Sequence, residues 1–156
     1  MRSHRDNVHR DEEPSAAAEF PVSWLIFALA RSHRALAANL LSDLGLYPGQ
    51  ELILMQLWDT DGLSQKELRE IERLDHSTIN KSVRRLEAAG LVRREPSPED
   101  GRVTLVFLTE KGRELEKAAK AAWAELERRT VAGLSEAEQQ RFRELALRII
   151  PNIEQD

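Results

Sequence analysis

Two short helices with capped N-termini, followed at once by two short strands, constrain the fold of this chain most strongly. Ser64 and Glu67 have the spacing of a capping box, in which each side chain satisfies a free backbone amide of the other residue. Asp75 is placed to cap the second helix, and Gly90 supplies the left-handed residue that ends it. Alternating segments at 91–95 and 102–108 predict two strands. The pattern predicts a helix-turn-helix followed by a β-hairpin, or wing.

Helices are predicted on both sides of this segment. Leucines at helical spacing predict a helix over 21–43, and a second helix begins near Pro48. After the wing, a long helix is expected over 109–132, and a second capping box at Ser135 and Glu138 opens the last one. The expected fold is mainly α with a small β-hairpin wing. Residues 1–18 are polar and aperiodic, and we expect a disordered tail there.

The second helix of the pair has two chemically distinct faces. Ile79, Val83 and Leu86 recur at helical spacing and form an apolar stripe that should pack inward. The opposite face is polar, and it suits a recognition helix in a DNA major groove. Its side chains are Ser77, Thr78, Asn80, Lys81, Arg84 and Arg85. Asn80 matches an adenine edge, Lys81 or Arg84 a guanine edge, and Ser77 and Thr78 a phosphate or base edge.

Positive charge is concentrated in this part of the chain. The net charge is −4, but nucleic-acid binding depends on local charge. The segment 76–94 holds five cations and one acid, Glu87. Two of the cations, Arg93 and Arg94, lie at the base of the wing, where we expect them to face phosphates. The local charge favours a DNA-binding function despite the acidic total.

The tip of the predicted wing carries an acid and a cation. Asp100 and Arg102 flank Gly101, after a segment with two prolines. An arginine at this position suits the narrow minor groove of A·T-rich DNA. Asp100 is expected to hold the Arg102 guanidinium by a bidentate pair.

These residues resemble those of the multiple antibiotic resistance regulator (MarR) family. The resemblance rests on the run from Leu74 to Val92, on Arg93 and Arg94, on the wing segment 100–102, and on the segment 108–112. It implies one MarR-like domain over 19–156. Within it, the winged helix-turn-helix spans 48–109, and the dimerisation helices span 21–43 and 110–153. Gly101 departs from a family form that has a second arginine between the wing residues, so a contact from that position is not expected.

The resemblance implies a homodimer on pseudo-palindromic double-stranded DNA, with the recognition helices in major grooves and the wings in minor grooves. Apolar stripes in the terminal helices independently favour a dimer, since their apolar surface is larger than the small winged helix-turn-helix can cover. The residues of these stripes are Leu25, Leu29, Leu36, Leu40, Phe142, Leu145, Ile149 and Ile150. Packing of these stripes within one chain is the alternative.

The resemblance also implies a small aromatic or lipophilic ligand. It would bind between the dimerisation helices and the winged helix-turn-helix and lower the affinity for DNA. Candidate lining residues are Trp24, Phe27, His33, Trp58 and Trp123, each of which also suits an ordinary core position. We expect a repressor released by such a ligand, with activation as the alternative.

Other classes of function find little support in the sequence. The absence of cysteine excludes disulfides and thiol-based redox sensing, and the four histidines show no metal-ligand spacing. No cofactor is expected. The chain has no glycine-rich phosphate loop and no nucleophile motif, which argues against an enzyme. The segment at the N-terminus lacks the apolar core of a signal peptide, so a cytoplasmic location is expected. A winged helix that binds protein instead of DNA is the alternative function.

Overall fold

A computed structural model describes residues 14–73 and 75–154. The chain divides into two compact units between Ala35 and Leu36, a boundary that lies inside a long helix. The single domain expected over 19–156 stays a prediction. Within the described ranges, no helix has the length and apolar character that crossing a membrane requires.

The first unit contains helix α1 (Ser15–Glu19) and most of helix α2 (Pro21–Leu41). Helix α1 lies partly within the segment 1–18, which the sequence predicts as a disordered tail, so the structure differs from that prediction after Pro14. Alanines at 16–18 favour a helix even without an apolar period. The remainder of the predicted tail, residues 1–13, lies outside the described residues.

The second unit contains the predicted helix-turn-helix and its wing. After a 3₁₀ turn at Ser42–Leu44, the elements are α3 (Gln50–Asp59), β1 (Leu63–Ser64), α4 (Gln65–Glu72), α5 (His76–Ala88), β2 (Val92–Pro96), β3 (Thr104–Leu108), α6 (Glu110–Glu114), α7 (Glu116–Thr130) and α8 (Glu136–Ile153). Leu74, which contributes to the family resemblance, lies outside the described residues. The helix-turn-helix consists of α4 and α5, and the wing consists of β2, β3 and the loop between them.

The structure corrects two parts of the predicted fold. The hairpin is part of a three-stranded antiparallel sheet with the order β1-β3-β2, in which Leu63 pairs with Val106. Strand β1 has two residues, too few for an alternating pattern to be visible in the sequence. The helix predicted over 109–132 is divided into α6 and α7 by a turn at Leu115, whose φ of −72° and ψ of −16° remain close to helical values.

Both predicted capping boxes are present. The amide of Glu67 donates to Oγ of Ser64 at 3.1 Å, and the amide of Ser64 donates to Oε2 of Glu67 at 2.7 Å. Ser135 and Glu138 form the same reciprocal pair at the start of α8. Each box satisfies two backbone amides that a helix start would otherwise leave unpaired.

The inner stripe of α5 forms part of the core of the second unit. Ile79, Val83 and Leu86 are each at most 1% exposed. They belong to one buried cluster with α3 and with the inner face of the wing, which contributes Val106 and Leu108. This burial fixes the rotation of α5 about its axis, so that its polar face must point outward.

The C-terminal end of α5 is joined to the start of α6 by hydrogen bonds. The hydroxyl of Thr109 donates to the carbonyl of Gly90 at 2.6 Å, and its amide donates to the carbonyl of Leu91 at 3.0 Å. Nζ of Lys111 donates to the carbonyl of Ala89 at 2.9 Å. The carbonyls that follow α5 are therefore paired with groups on the far side of the wing.

Gly112 makes this approach possible, because a Cβ atom at this position would lie 2.1 Å from the carbonyl oxygen of Leu91. We predict that Gly112→Ala lowers the free energy of unfolding by about 1–3 kcal/mol, since backbone must move to relieve the overlap. Denaturant unfolding measures the change. Gly101→Ala is the matched control, because its Cβ would meet nothing within 4 Å, and we expect a change within about 0.5 kcal/mol. Equal effects of the two substitutions would contradict the proposed overlap.

Candidate nucleic-acid interface

The N-terminus of α5 is capped by Asp75, as predicted. The amide of Thr78 donates to Oδ1 of Asp75 at 2.8 Å, and the hydroxyl of Thr78 donates to Oδ2. These two bonds lower the pKa of Asp75 below its ordinary value. Because its proton is engaged in the cap, the Thr78 hydroxyl is poorly placed to donate to a phosphate. The structure thus gives Thr78 a role in the cap beside its predicted contact with DNA.

The polar residues predicted on the outer face of α5 do lie there. Ser77, Lys81, Arg84 and Arg85 are exposed, and Asn80 is half-buried. Together with Ala88 they line an open depression along the helix. Across residues 14–73 and 75–154, no ion pair involves the three cations of this face. Their charge is therefore available to a polyanion.

Asn80 is held by a side chain from the neighbouring helix. Nε2 of Gln65, the first residue of α4, donates to Oδ1 of Asn80 at 3.4 Å. This contact is not visible in the sequence, because it joins two residues 15 positions apart. It depends on how α4 and α5 pack, which no local pattern reveals.

Arg94, at the base of the wing, is paired with Glu87 of α5. Its Nη2 lies 2.7 Å from Oε2 of Glu87, and its Nε donates to the same oxygen at 3.0 Å. This hydrogen bond lowers the pKa of Glu87 below its ordinary value. The pair joins α5 to β2. It also offsets much of the positive charge of Arg94, which was expected to face a DNA phosphate.

Arg93 also contacts groups of its own chain. Its Nε donates to Oε1 of Glu95 at 2.7 Å, and its Nη1 donates to the carbonyl of Leu108 at 3.1 Å. The guanidinium carbon lies 4.8 Å from the centre of the Phe107 ring, within the range of a cation–π contact. The structure thus gives Arg93 a role in holding β2 against β3.

The predicted pair at the tip of the wing is present. Nε and Nη2 of Arg102 each donate to a separate oxygen of Asp100 at 3.0 Å. The backbone amide of Arg102 donates to Asp100 as well. The guanidinium lowers the pKa of Asp100 below its ordinary value. The Arg102 side chain is still 91% exposed, so the pair orients the cation without burying it.

The aromatic residues predicted to line a ligand cleft have different environments. Trp24, Phe27 and His33 lie on α2 within the first unit, where Trp24 is half-buried and the other two are exposed. Trp58, on α3 in the second unit, donates from Nε1 to the carbonyl of Gly112 at 3.0 Å and packs against the core. The structure thus gives Trp58 a clear role in holding α6 against α3.

Trp123 lies beside a buried acid that the sequence analysis does not single out. Its Nε1 is buried and makes no hydrogen bond of normal geometry within the described chain. Glu51, near the start of α3, is 2% exposed and accepts a hydrogen bond from the amide of Gly49 at 2.8 Å. Burial raises the pKa of Glu51 above its ordinary value, although the Gly49 amide and the Trp123 indole partly oppose the effect.

Many apolar residues of the terminal helices are not covered by the chain itself. All of α8 lies in the described part of the chain, and none of its residues is buried. Phe142 is 58% exposed and Leu145 is 40% exposed, while Leu25 and Leu29 of α2 are each more than half exposed. Leu36 and Leu40 pack against the core instead. The predicted stripes are thus largely open at the two ends of the chain.

Comparison with known proteins connects this architecture to regulators of transcription. The sequence profile of the MarR family matches residues 46–104. The HTH-type transcriptional regulator TtmR of Methylorubrum extorquens is 40% identical over 108 residues, which are 68% of this chain and 53% of that protein. The chain therefore spans about half the length of that relative.

Two further comparisons extend over most of both partners. The HTH-type transcriptional repressor IacR of Pseudomonas putida is 34% identical over 87% of this chain and 81% of that protein. The crystal structure of the PcaV transcriptional regulator from Streptomyces coelicolor in complex with its natural ligand has a TM-score of 0.79. It is 27% identical, with 92% of this chain and 100% of that chain covered.

The buried Glu51 generates a prediction about pH. Because its pKa is raised in the folded state, ionisation of Glu51 costs stability, and the cost appears as the pH rises from about 4, where unfolded glutamate titrates, through the folded-state pKa. We predict that Glu51→Gln becomes progressively more stable relative to the parent protein as the pH rises through that range. Denaturant unfolding at a series of pH values measures the difference.

Glu125 provides a control of opposite sign. Arg128 and Arg129 lower its pKa to about 2, so its ionised form adds stability that is lost as the pH falls from about 4 towards 2. Glu125→Gln should therefore become less stable relative to the parent protein as the pH rises through that range. If Glu51→Gln instead loses stability relative to the parent protein as the pH rises, as Glu125→Gln should, the assignment for Glu51 is wrong.

Proposed function

The chain belongs to the MarR family of transcriptional regulators, and from this membership we propose that it binds pseudo-palindromic operator DNA as a homodimer. It is a DNA-binding regulator with a winged helix-turn-helix fold. The observation that carries the proposal is the outer face of α5, where three cations without carboxylate partners in the described chain surround Asn80. A helix with this face and a buried opposite face has the shape and chemistry that a major groove accepts.

Each side chain of α5 receives a specific role in this proposal. Asn80, Lys81 and Arg84 read base edges, because their amide and cationic donors match the acceptors of purines. Ser77 and Arg85 contact phosphates on either side of the groove. Thr78 contributes through the cap, and any contact of its own with DNA is through its oxygen as an acceptor.

The wing has a second role, in the neighbouring minor groove. Arg102 enters the groove with Asp100 fixing the orientation of its guanidinium, and Gly101 leaves room at the tip. Arg93 supports the wing through its contacts with Leu108 and Phe107 of β3, and Arg94 does so through its ion pair with Glu87. Their remaining donors face the phosphates. The wing thus adds affinity and register, while α5 supplies most of the base specificity.

The dimer is supported by the exposed apolar faces of α2 and α8. Burial of apolar surface yields about 25 cal/mol per Å², so a second copy that covers these faces gains substantial free energy. A two-fold dimer places two copies of α5 in successive major grooves, about 34–36 Å apart. The operator should therefore contain two inverted half-sites with this spacing.

A small ligand and a repressor function complete the proposal. PcaV has been crystallised with its natural ligand and IacR is named a repressor, which supports a repressor that a small aromatic or lipophilic molecule releases. Trp24, Phe27 and His33 are the proposed ligand contacts, whereas the hydrogen bond of Trp58 favours a structural role. A regulator of this kind acts where the DNA is, which supports the cytoplasm as its location. The family consists of transcriptional regulators, and we propose no catalytic activity.

Selection of bound fragments from random DNA tests the proposal. The expected result is a sequence motif with two inverted half-sites whose centres lie about one helical turn apart. A single half-site would contradict the dimer. Recovery of fragments without any common sequence would contradict sequence-specific binding and favour the alternative, a winged helix that binds protein.

The wing generates a separate prediction. Arg102→Ala should weaken binding to the selected operator and lower the slope of log affinity against log salt by roughly one for each phosphate that the arginine no longer neutralises. Arg128→Ala is the matched control, since Arg128 also forms an exposed bidentate pair, with Glu125, but lies on α7. Binding titrations at several salt concentrations measure both. Unchanged slope and affinity for Arg102→Ala would contradict a role of the wing in DNA binding.

A further inference from the structure

The amides of Gln65 and Asn80 meet where α4 approaches the outer face of α5. Nε2 of Gln65 donates to Oδ1 of Asn80, and both residues are half-buried. Within the described part of the chain, this is the side-chain hydrogen bond that connects the two helices of the helix-turn-helix. It engages a residue that the proposed function assigns to base reading.

The hydrogen bond selects one of two orientations of Asn80. The carboxamide of asparagine has an acceptor oxygen on one side and an NH₂ group of similar size on the other, so an isolated side chain can turn by 180° at little steric cost. The carboxamide of Gln65 also has two orientations, and in the one that the structure shows, its Nε2 donor stabilises the orientation of Asn80 in which Oδ1 faces α4. The two N–H bonds of Nδ2 then point away from α4, towards the open depression along α5.

We propose that Gln65 is a positioning residue that determines base specificity by holding the Nδ2 donors of Asn80 towards the DNA. The proposal rests on the proposed function, because the orientation of Asn80 has a measurable consequence only if Asn80 meets a base. Gln65 acts through Asn80 and need not contact DNA itself.

The bases that this orientation favours follow from the major-groove pattern. Donors match N7 of either purine, O6 of guanine and O4 of thymine, whereas cytosine presents mainly an amino donor. The second lone pair of Oδ1 still allows adenine to donate from N6. At the position that Asn80 reads, a purine should therefore be preferred and cytosine should be disfavoured.

The backbone of Gln65 is well placed to hold this orientation. Gln65 directly follows Ser64, which caps α4 and also pairs with Leu105 in the sheet. The start of α4 is thus fixed both by the capping box and by a strand of the wing. Gln65 extends from this fixed point, so the orientation of Asn80 is linked to the register of the sheet.

Gln65→Glu tests the proposal most directly. A carboxylate at this position accepts hydrogen bonds and cannot donate, so it stabilises the opposite orientation of Asn80, with Nδ2 towards α4 and Oδ1 towards the DNA. The preference should shift from guanine, which presents only acceptors, towards cytosine and adenine, which present amino donors. We expect the ratio of guanine to cytosine affinity to fall by about 2- to 10-fold, the size of one hydrogen bond. The measurement is binding to operators randomised at the position where Asn80→Ala relaxes the preference.

Two matched variants separate this effect from charge and packing. Lys66→Gln makes the same change in net charge one residue further along, and it should lower the affinity for all operators without changing the base preference. Gln65→Met keeps the length of the side chain but removes the hydrogen bond. It should relax the preference without reversing it. Thermal unfolding of each variant reports any general loss of stability.

The outcomes distinguish the proposal from simpler roles of Gln65. An unchanged base preference in Gln65→Glu, with or without a lower unfolding temperature, would overturn it and leave Gln65 a structural role. A changed preference that persists in the Asn80→Ala background would also overturn it, because Gln65 would then read DNA directly. If the parent protein shows no operator preference at all, the proposed function fails before this test applies.

Discussion

Helix α5 is held at both of its ends, and the rest of the winged helix-turn-helix depends on this constraint. Asp75 accepts from the amide of Thr78 in its first turn, while Thr109 and Lys111, from beyond the wing, donate to the carbonyls that follow it. Its buried stripe prevents rotation about its own axis. An outer face can offer specific contacts only if its direction is fixed before DNA arrives, because each side chain ordered on binding lowers the affinity.

The two ends of the chain show the opposite condition. Leu25 and Leu29 of α2 and the apolar side chains of α8 lack the cover that the inner face of α5 receives from α3 and the wing. The centre of the chain completes its own core, whereas the ends keep apolar surface that the proposed dimer would cover. In the proposed dimer, the distance between the two copies of α5 is set by α2 and α8, which do not themselves contact a base.

The sequence predicted the local features of the fold better than its long-range contacts. The capping boxes, the Asp75 cap, the inner stripe of α5 and the Asp100–Arg102 pair each depend on residues close in sequence, and all are present. Strand β1 was missed because its pairing with β3 crosses more than 40 residues. The partners of Arg94 and Asn80 are only 7 and 15 positions away in sequence. They were missed because Glu87 meets Arg94 only when β2 packs against α5, and Gln65 meets Asn80 only when α4 does. The DNA and ligand contacts themselves remain predictions.

The pairing of Arg94 with Glu87 has a consequence for how such a protein searches a chromosome. A regulator must find a few operators among millions of unrelated sites, and each cation that faces the phosphate backbone raises its affinity for all of them equally. An arginine neutralised by an acid of the same chain adds rigidity to the wing without adding to this unselective attraction. In the proposed complex with DNA, this pairing shortens the time spent on unrelated sites, while the cations of α5 remain free to read bases.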